Sequence, residues 1–296
     1  MAGTVFPAGC TVSEIGGAYS CKCVPTGGNL RTLRPHLSYS SPMPTPAPQL
    51  PWLRPGAAFP EPRLAWGPDA PAPGLLAAGG VLDINTLRSA YSHGIFPWFS
   101  DGQPVLWWSP DPRMVLQTTQ FLVHPSLRKT IQKFRRTSGC DVRIDTAFRE
   151  VIQACASSPR SGQAGTWILP SMIEAYCELH RAGDAHSVET WINGKLVGGL
   201  YCVALGKAVF GESMFNQAND ASKIALAALV AFCRRHGIQQ IDCQQNTRHL
   251  ASLGAQEMPR KQFLAGVSAA MQQSSPSWQF DPQDWALIMS PRSNTK

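Results

Sequence analysis

Apolar positions recur at Ile84, Leu87, Ala90 and Tyr91, the spacing of one helix face, with Asp83 placed to cap the start and Gly94 the end. The same period predicts helices from Pro125 through Phe134, after Asp145 with Phe148, Val151, Ile152 and Cys155 inward, from Pro170 to Arg181, from Ala221 to His236 behind an Asn219 or Asp220 cap, and from Pro259 through Ala269. After His186 the period changes. Ser187 to Ile192 reads as a strand, Asn193-Gly194 as a type I′ hairpin turn, Lys195 to Leu205 as its partner and Ala208 to Phe215 as a third strand. A further strand, Ile238 to Gln244, follows the long apolar helix. The dense aromatic stretch from Ile95 to Arg113, broken by Pro and Gly, predicts an irregular rigid surface, with core packing or base stacking open to its rings. The sum is an α+β fold: an antiparallel meander, then a strand-helix-strand crossover.

A crossover of that kind makes its two strands parallel, so their carboxyl ends open at one edge of the sheet. Glu212 and Asp242 then become neighbours. Strand alternation puts Asp242 and Gln244 on one face, Ile241 and Cys243 on the other. A carboxylate flanked by Met214, Phe215 and Ile241 is a candidate for a raised pKa and for proton removal from an amine or hydroxyl. Gln244, donor and acceptor at once, could orient a nucleophile or donate to an oxyanion. All three could equally form structural hydrogen bonds. A thiol nucleophile at Cys243 with His249 as base is the weaker pattern, since alternation turns the thiol away from Asp242 and free cysteines are commonly buried.

Composition narrows the class. At 296 residues and 44% hydrophobic, the chain can bury one large or two modest cores, and no apolar run approaches the roughly 18 residues a membrane-spanning helix needs. Nine cysteines without framework spacing favour reduced thiols, and Cys21-x-Cys23 lacks the second pair a zinc site requires, so no metal is expected. The net charge of +7 suits a polyanionic partner. Between Asp111 and Arg136 the bases are Arg113, Arg128, Lys129, Lys133, Arg135 and Arg136, and Lys129 and Lys133 share a helix face that either meets phosphates or is simply solvated. Fourteen of the 25 prolines precede Gly74, and the first fifty residues hold one acid, Glu14. Residues 1–50 are therefore expected to form a disordered, dispensable Pro-rich extension, read as an upstream start ahead of Met43 rather than as a transit peptide.

Nine motifs in order resemble the leucyl/phenylalanyl-tRNA-protein transferase family. They are Gly74 to Gly80, Gly94 to Phe99, Leu106 to Arg113, Gly165 to Ile168, Ala185 to Glu189, Leu196 to Tyr201, Phe210 to Phe215, Ile241 to Gln244 and Ala251 to Ala255. The resemblance runs from about Pro51 to Val267. It implies a small amino-terminal domain over residues 51–120, a catalytic domain of the GNAT acetyltransferase fold over 121–270 that includes the basic helix, and a tail over 271–296.

The resemblance also implies a cytoplasmic enzyme of the N-degron pathway. Such an enzyme moves Leu or Phe, less readily Met, from aminoacyl-tRNA to the α-amine of an N-terminal Arg or Lys. By position, Trp98 and Trp167 resemble the rings that hold the terminal adenosine, and Leu200, Met214 and Ile241 the aminoacyl pocket. Asp242 and Gln244 resemble the catalytic pair, with Glu212 beside them. Arg128, Lys129 and Lys133 are expected to contact tRNA phosphates. No cofactor is expected: the Gly-rich pyrophosphate loop of acetyl-CoA users is not visible between Val209 and Asp220. Two other readings remain, an aminoacyl-tRNA-dependent acyltransferase with a different acceptor, and a tRNA-binding module with a dead site.

Overall fold

The computed structural model describes residues 10–15, 18–23, 49–158 and 168–289. In chain order the elements are β1 (Cys10–Ile15), β2 (Ala18–Cys23), β3 (Trp52–Leu53), β4 (Leu75–Gly79), α1 (Ile84–Ser92), β5 (Phe96–Pro97), β6 (Leu106–Trp108) and β7 (Arg113–Gln117). Then come α2 (Pro125–Arg136), β8 (Cys140–Ile144), α3 (Phe148–Ser157), α4 (Pro170–Arg181), β9 (Ala185–Ile192), β10 (Lys195–Leu205) and β11 (Ala208–Asn216). The chain closes with α5 (Ala221–Arg235), β12 (Gln240–Gln244), α6 (Arg248–Ser252), β13 (Gln256–Met258), α7 (Arg260–Met271) and α8 (Ala286–Met289).

Seven strands form the main sheet in the order β13-β7-β12-β11-β10-β9-β8. Every pairing in it is antiparallel except β11 with β12, which α5 joins as the expected crossover. The β9–β10 hairpin turns at Asn193 and Gly194, both at positive φ (50° and 73°), as a type I′ turn demands. A four-stranded sheet, β3-β4-β6-β5, precedes it. The fold is thus α+β, a small amino-terminal sheet followed by a larger one.

Each face of the main sheet carries its own core. One packs Tyr201, Phe210 and Phe215 with α1, α3, α4 and α7, and runs on into the small sheet. The other packs Leu200, Val209 and Ile241 with α5 and α2. Ten successive residues of α5, Ile224 to Cys233, are buried, because sheet, α2 and the carboxyl tail cover it on several sides. In that tail Trp285 is buried, and Trp278 stacks on His186 at 3.8 Å and on Phe232 at 4.7 Å.

Several local expectations change. The aromatic stretch is irregular over most of its length but holds a short antiparallel pair, β5 with β6, and Trp107 and Trp108 are core residues rather than surface rings. Asp145 does not cap α3. It sits at φ 61° and its carboxylate accepts from the Ser187 amide at 2.8 Å and meets His186 Nδ1 at 2.7 Å, while Glu189 accepts from the Ala147 amide at the start of α3. Asp220 precedes α5 at φ 60° without a side-chain cap, its carboxylate taken by Lys223. Ile238 and Gln239 lie ahead of β12 rather than in it. Within the expected disordered extension, β1 and β2 pair antiparallel; most of the rest of that segment lies outside the described residues.

Candidate active site

Parallel pairing of β11 with β12 holds at Val209 with Ile241 and at Phe210 with Asp242. Each strand then gains one residue against its outer neighbour. On β11, Gly211 and Ser213 pair with consecutive residues of β10 and Glu212 is the extra one. On β12, Asp242 and Gln244 pair with consecutive residues of β7 and Cys243 is the extra one. Bulges of this kind re-aim side chains beside functional sites. Gln244 follows its bulge at φ 62°, left-handed backbone that is uncommon outside glycine, asparagine and aspartate.

These two bulges bring the three predicted polar residues together. Gln244 Nε2 donates to Glu212 Oε1 at 2.9 Å, and the Gln244 amide donates to Asp242 Oδ1 at 2.8 Å. Tyr176 donates to Glu212 Oε2 at 3.4 Å, and the Tyr176 and Tyr91 hydroxyls lie 2.5 Å apart. Burial pushes the Glu212 carboxyl up to about 8, against hydrogen bonds from Tyr91 and Tyr176 and the Arg113 charge that pull it down, while the neighbouring Asp242 pushes it further up. Burial and the Glu212 charge together raise both tyrosines.

Asp242 has a different environment. Arg113, the first residue of β7, donates from Nε to Asp242 Oδ1 at 2.8 Å and from Nη2 to Oδ2 at 2.7 Å. Both side chains are withdrawn from solvent, at 0% and 1% exposure. With the Gln244 amide included, both carboxylate oxygens already accept hydrogen bonds. Arg113 Nη1 also reaches the Gly94 carbonyl at 3.1 Å, and its guanidinium lies 4.8 Å from the Phe96 ring and 4.7 Å from the Phe263 ring.

Toward α5 the same strands border an apolar cavity, which Glu212 and Asp242 also line. Leu200, Met214 and Ile241, the three residues expected for the aminoacyl pocket, all line it, and Leu200 and Met214 are register partners. Leu226 and Leu229 of α5, with Leu250 of α6, complete the apolar wall. Cys243 also faces this side. Its thiol donates to the Ile241 carbonyl, and burial drives its pKa well above the ordinary value, which leaves it a poor nucleophile.

The remaining predicted residues that are described come from other parts of the chain. Trp98 is half-buried in the small sheet, its carbonyl accepting from Trp108 Nε1 at 2.7 Å. Trp167 lies outside the described residues. Lys129 and Lys133 are exposed on α2, whereas Arg128 turns inward and donates to the Met289 carbonyl of the tail. The sequence offered Arg113 only as one of six bases between Asp111 and Arg136 and as the end of a motif, and it did not single out Tyr91, Tyr176, Leu226, Leu229 or Leu250 for the site. One signal for Arg113 was present: a charged residue leading the apolar run Met114-Val115-Leu116 needs a buried counter-ion.

A buried carboxylate of raised pKa backed onto an apolar cavity, at the open ends of two parallel strands, suits acyl transfer to an amine, and comparison with known proteins gives the class. The family model described as leucyl/phenylalanyl-tRNA protein transferase matches residues 115–268, and that of its N-terminal domain matches residues 80–111. A leucyl/phenylalanyl-tRNA–protein transferase of Albidiferax ferrireducens is 64% identical over 246 residues, covering 83% of this chain and 97% of the relative. Its counterpart in a Polaromonas species is 62% identical over 240 residues, covering 81% and 94%. Among solved structures, a GCN5-related N-acetyltransferase from Kribbella flavida aligns over 58% of this chain and 60% of its own at 11% identity and a TM-score of 0.30. At that score the likeness adds nothing to the strand order. The protein is an aminoacyltransferase. It belongs to the leucyl/phenylalanyl-tRNA-protein transferase family.

Proposed function

We propose that the chain moves Leu or Phe, and less readily Met, from aminoacyl-tRNA to the α-amine of a protein whose first residue is Arg or Lys, marking that protein for N-degron degradation in the cytoplasm. The observation that carries this is the junction of the two faces: an apolar cavity lined by Leu200, Met214 and Ile241, with Glu212 and Gln244 at the same strand ends. An unbranched thioether among aliphatic side chains accepts Leu, Phe and Met while disfavouring β-branched shapes.

In the proposed reaction the neutral α-amine of the acceptor attacks the ester carbonyl carbon. The new C–N bond forms as the carbonyl carbon releases the 3′ oxygen of the terminal ribose, the amine gives up a proton, and that oxygen is protonated as it leaves. Glu212 is assigned the proton acceptor, because a carboxyl at about 8 is matched to an α-amine, whose usual pKa is roughly 7.7–8.0. Gln244 orients Glu212. Asp242, expected from the resemblance to share the proton removal, is assigned the task of holding Gln244, since its oxygens are already occupied. Alignment of ester and amine supplies much of the rate. The aminoacyl ester is itself activated, so no cofactor, coenzyme A or metal enters the scheme. Among the described residues no helix is long and apolar enough to cross a membrane.

Trp98 and Trp167 are assigned to the terminal adenosine, and Arg128, Lys129 and Lys133 to acceptor-stem phosphates, with Arg128 the least free of the three. The deciding measurement is incubation with charged Phe-tRNA and a peptide beginning with Arg. Labelled Phe on the peptide is the expected product. Transfer only to another kind of acceptor, or tRNA binding with no transfer, would sink the proposal.

A further inference from the structure

We propose that Arg113 is a positioning residue of the transfer site, acting through Asp242 to set the backbone at Gln244 and thereby the place where the Gln244 side chain meets Glu212. The inference rests on the aminoacyl-transfer reading above.

Four observations converge on this residue. Arg113 is fully buried, and its two-pronged contact with Asp242 fixes the plane of that carboxylate, which a single-point cation could not do. Asp242 Oδ1, so oriented, accepts the Gln244 amide at 2.8 Å. That bond closes the bulge at Cys243 and holds Gln244 at φ 62°, a conformation its sequence does not favour. From there Gln244 Nε2 reaches Glu212 at 2.9 Å. The chain of contacts is thus continuous from a guanidinium in β7 to the proposed proton acceptor in β11, and Arg113 itself meets Glu212 only as a charge.

Arg113 is in turn held by groups from elsewhere. The Gly94 carbonyl, at the end of α1, accepts its Nη1, and the rings of Phe96 and Phe263 lie against it. Gly94 has φ 66°, and a Cβ there would lie 2.5 Å from Leu264 Cδ2 and 2.9 Å from the Phe263 ring. The turn after α1, strand β5 and helix α7 therefore meet at the guanidinium. A loss at Arg113 should pass into the chemical step rather than into the grip on tRNA, because neither Arg113 nor Gly94, Phe96 or Phe263 lines the apolar cavity or lies on α2.

The test uses the full chain, charged Phe-tRNA and a peptide beginning with Arg, with rates measured in a single turnover and affinity for the aminoacyl-tRNA measured separately. Arg113→Lys keeps the charge and removes the fork. Its transfer rate should fall at least tenfold while affinity stays within twofold. Adding Gln244→Ala to Arg113→Lys should slow the reaction by no more than a further twofold, because both changes break one chain of contacts. A rate within twofold of the unchanged protein, losses that multiply, or a loss confined to affinity would each overturn the inference. Should Arg113→Lys fail to fold, Phe263→Leu removes one ring from the guanidinium and leaves the ion pair. That variant should be several-fold slower at unchanged affinity and again insensitive to Gln244→Ala, and a full-rate Phe263→Leu would overturn the inference. An unchanged protein that transfers nothing sinks the transfer reading and this one together, whereas a normal Arg113→Lys enzyme beside an active parent sinks only this one.

Discussion

Strands β11 and β12 show two unlike faces. Toward α1, α4 and α7 they present Glu212, Asp242 and Gln244, locked to Arg113, Tyr91 and Tyr176 from three other elements. Toward α5 they present Met214, Ile241 and Cys243, which line the cavity with Leu226, Leu229 and Leu250. The polar face is specified by pairings and the apolar face by volume. Errors on the first leave buried charges or donors unmatched, and errors on the second leave or fill space.

The sharpest break in that contrast is Asp242→Ala. It strands Arg113 as a buried unpaired cation, and loss of stability should be about 3–5 kcal/mol, read by denaturant unfolding. A drop no larger than that of a comparable change in the cavity wall would dissolve the distinction. Next comes Glu212→Gln, which should slow transfer about a hundredfold yet stabilise the fold. The sign follows from the raised pKa: the native state holds its proton between the unfolded value of 4.5 and about 8, so the carboxylate costs nothing below that window and its penalty grows as pH rises through it. The gain for Glu212→Gln should therefore be nil near pH 4 and approach the order of 4 kcal/mol by pH 8. Equal gains at both pH values would contradict the environment described for Glu212.

On the apolar face the expected effects are smaller. Leu200→Phe narrows the cavity opposite Met214 and should shift preference from Phe toward Leu by about tenfold in kcat/KM. Stability should change by less than about 2 kcal/mol. Smallest is the effect of neutralising Lys129 and Lys133 together, remote from both faces. Binding of tRNA should weaken, and the slope of log K against log salt should fall by roughly one to two. An unchanged slope would free α2 from the tRNA surface.

The same contrast explains what the chain disclosed before its structure was known. Periodicity located α1, α4 and the β9–β10 hairpin almost to the residue, since each is set by local spacing and by a turn or stop such as Asn193-Gly194 or Gly183. It also placed Glu212 beside Asp242 by the crossover alone. The companions of those residues were not legible. Arg113 stands 129 residues from Asp242 and Tyr91 stands 85 from Tyr176, and no local pattern links residues so far apart. Leu226, Leu229 and Leu250 were hidden for a different reason, because any leucine on an apolar helix fits a core as well as a cavity wall. Asp145 and Asp220 misled as caps: the first is claimed by Ser187 and His186 from β9, the second by Lys223 in the first turn of α5 and by Thr130 of α2.

The paired bulges at Glu212 and Cys243 carry a consequence for how this family can vary in length. Removing the extra residue at either place would let the ladder close as a plain sheet. At β11 that takes away Glu212 itself, and at β12 it removes the bulge that lets Gln244 reach Glu212. Around these two positions the chain should accept many substitutions in type and almost no insertion or deletion, whereas the connections at Gly102 and Gly183, where added bulk meets nothing nearby, should drift freely in length.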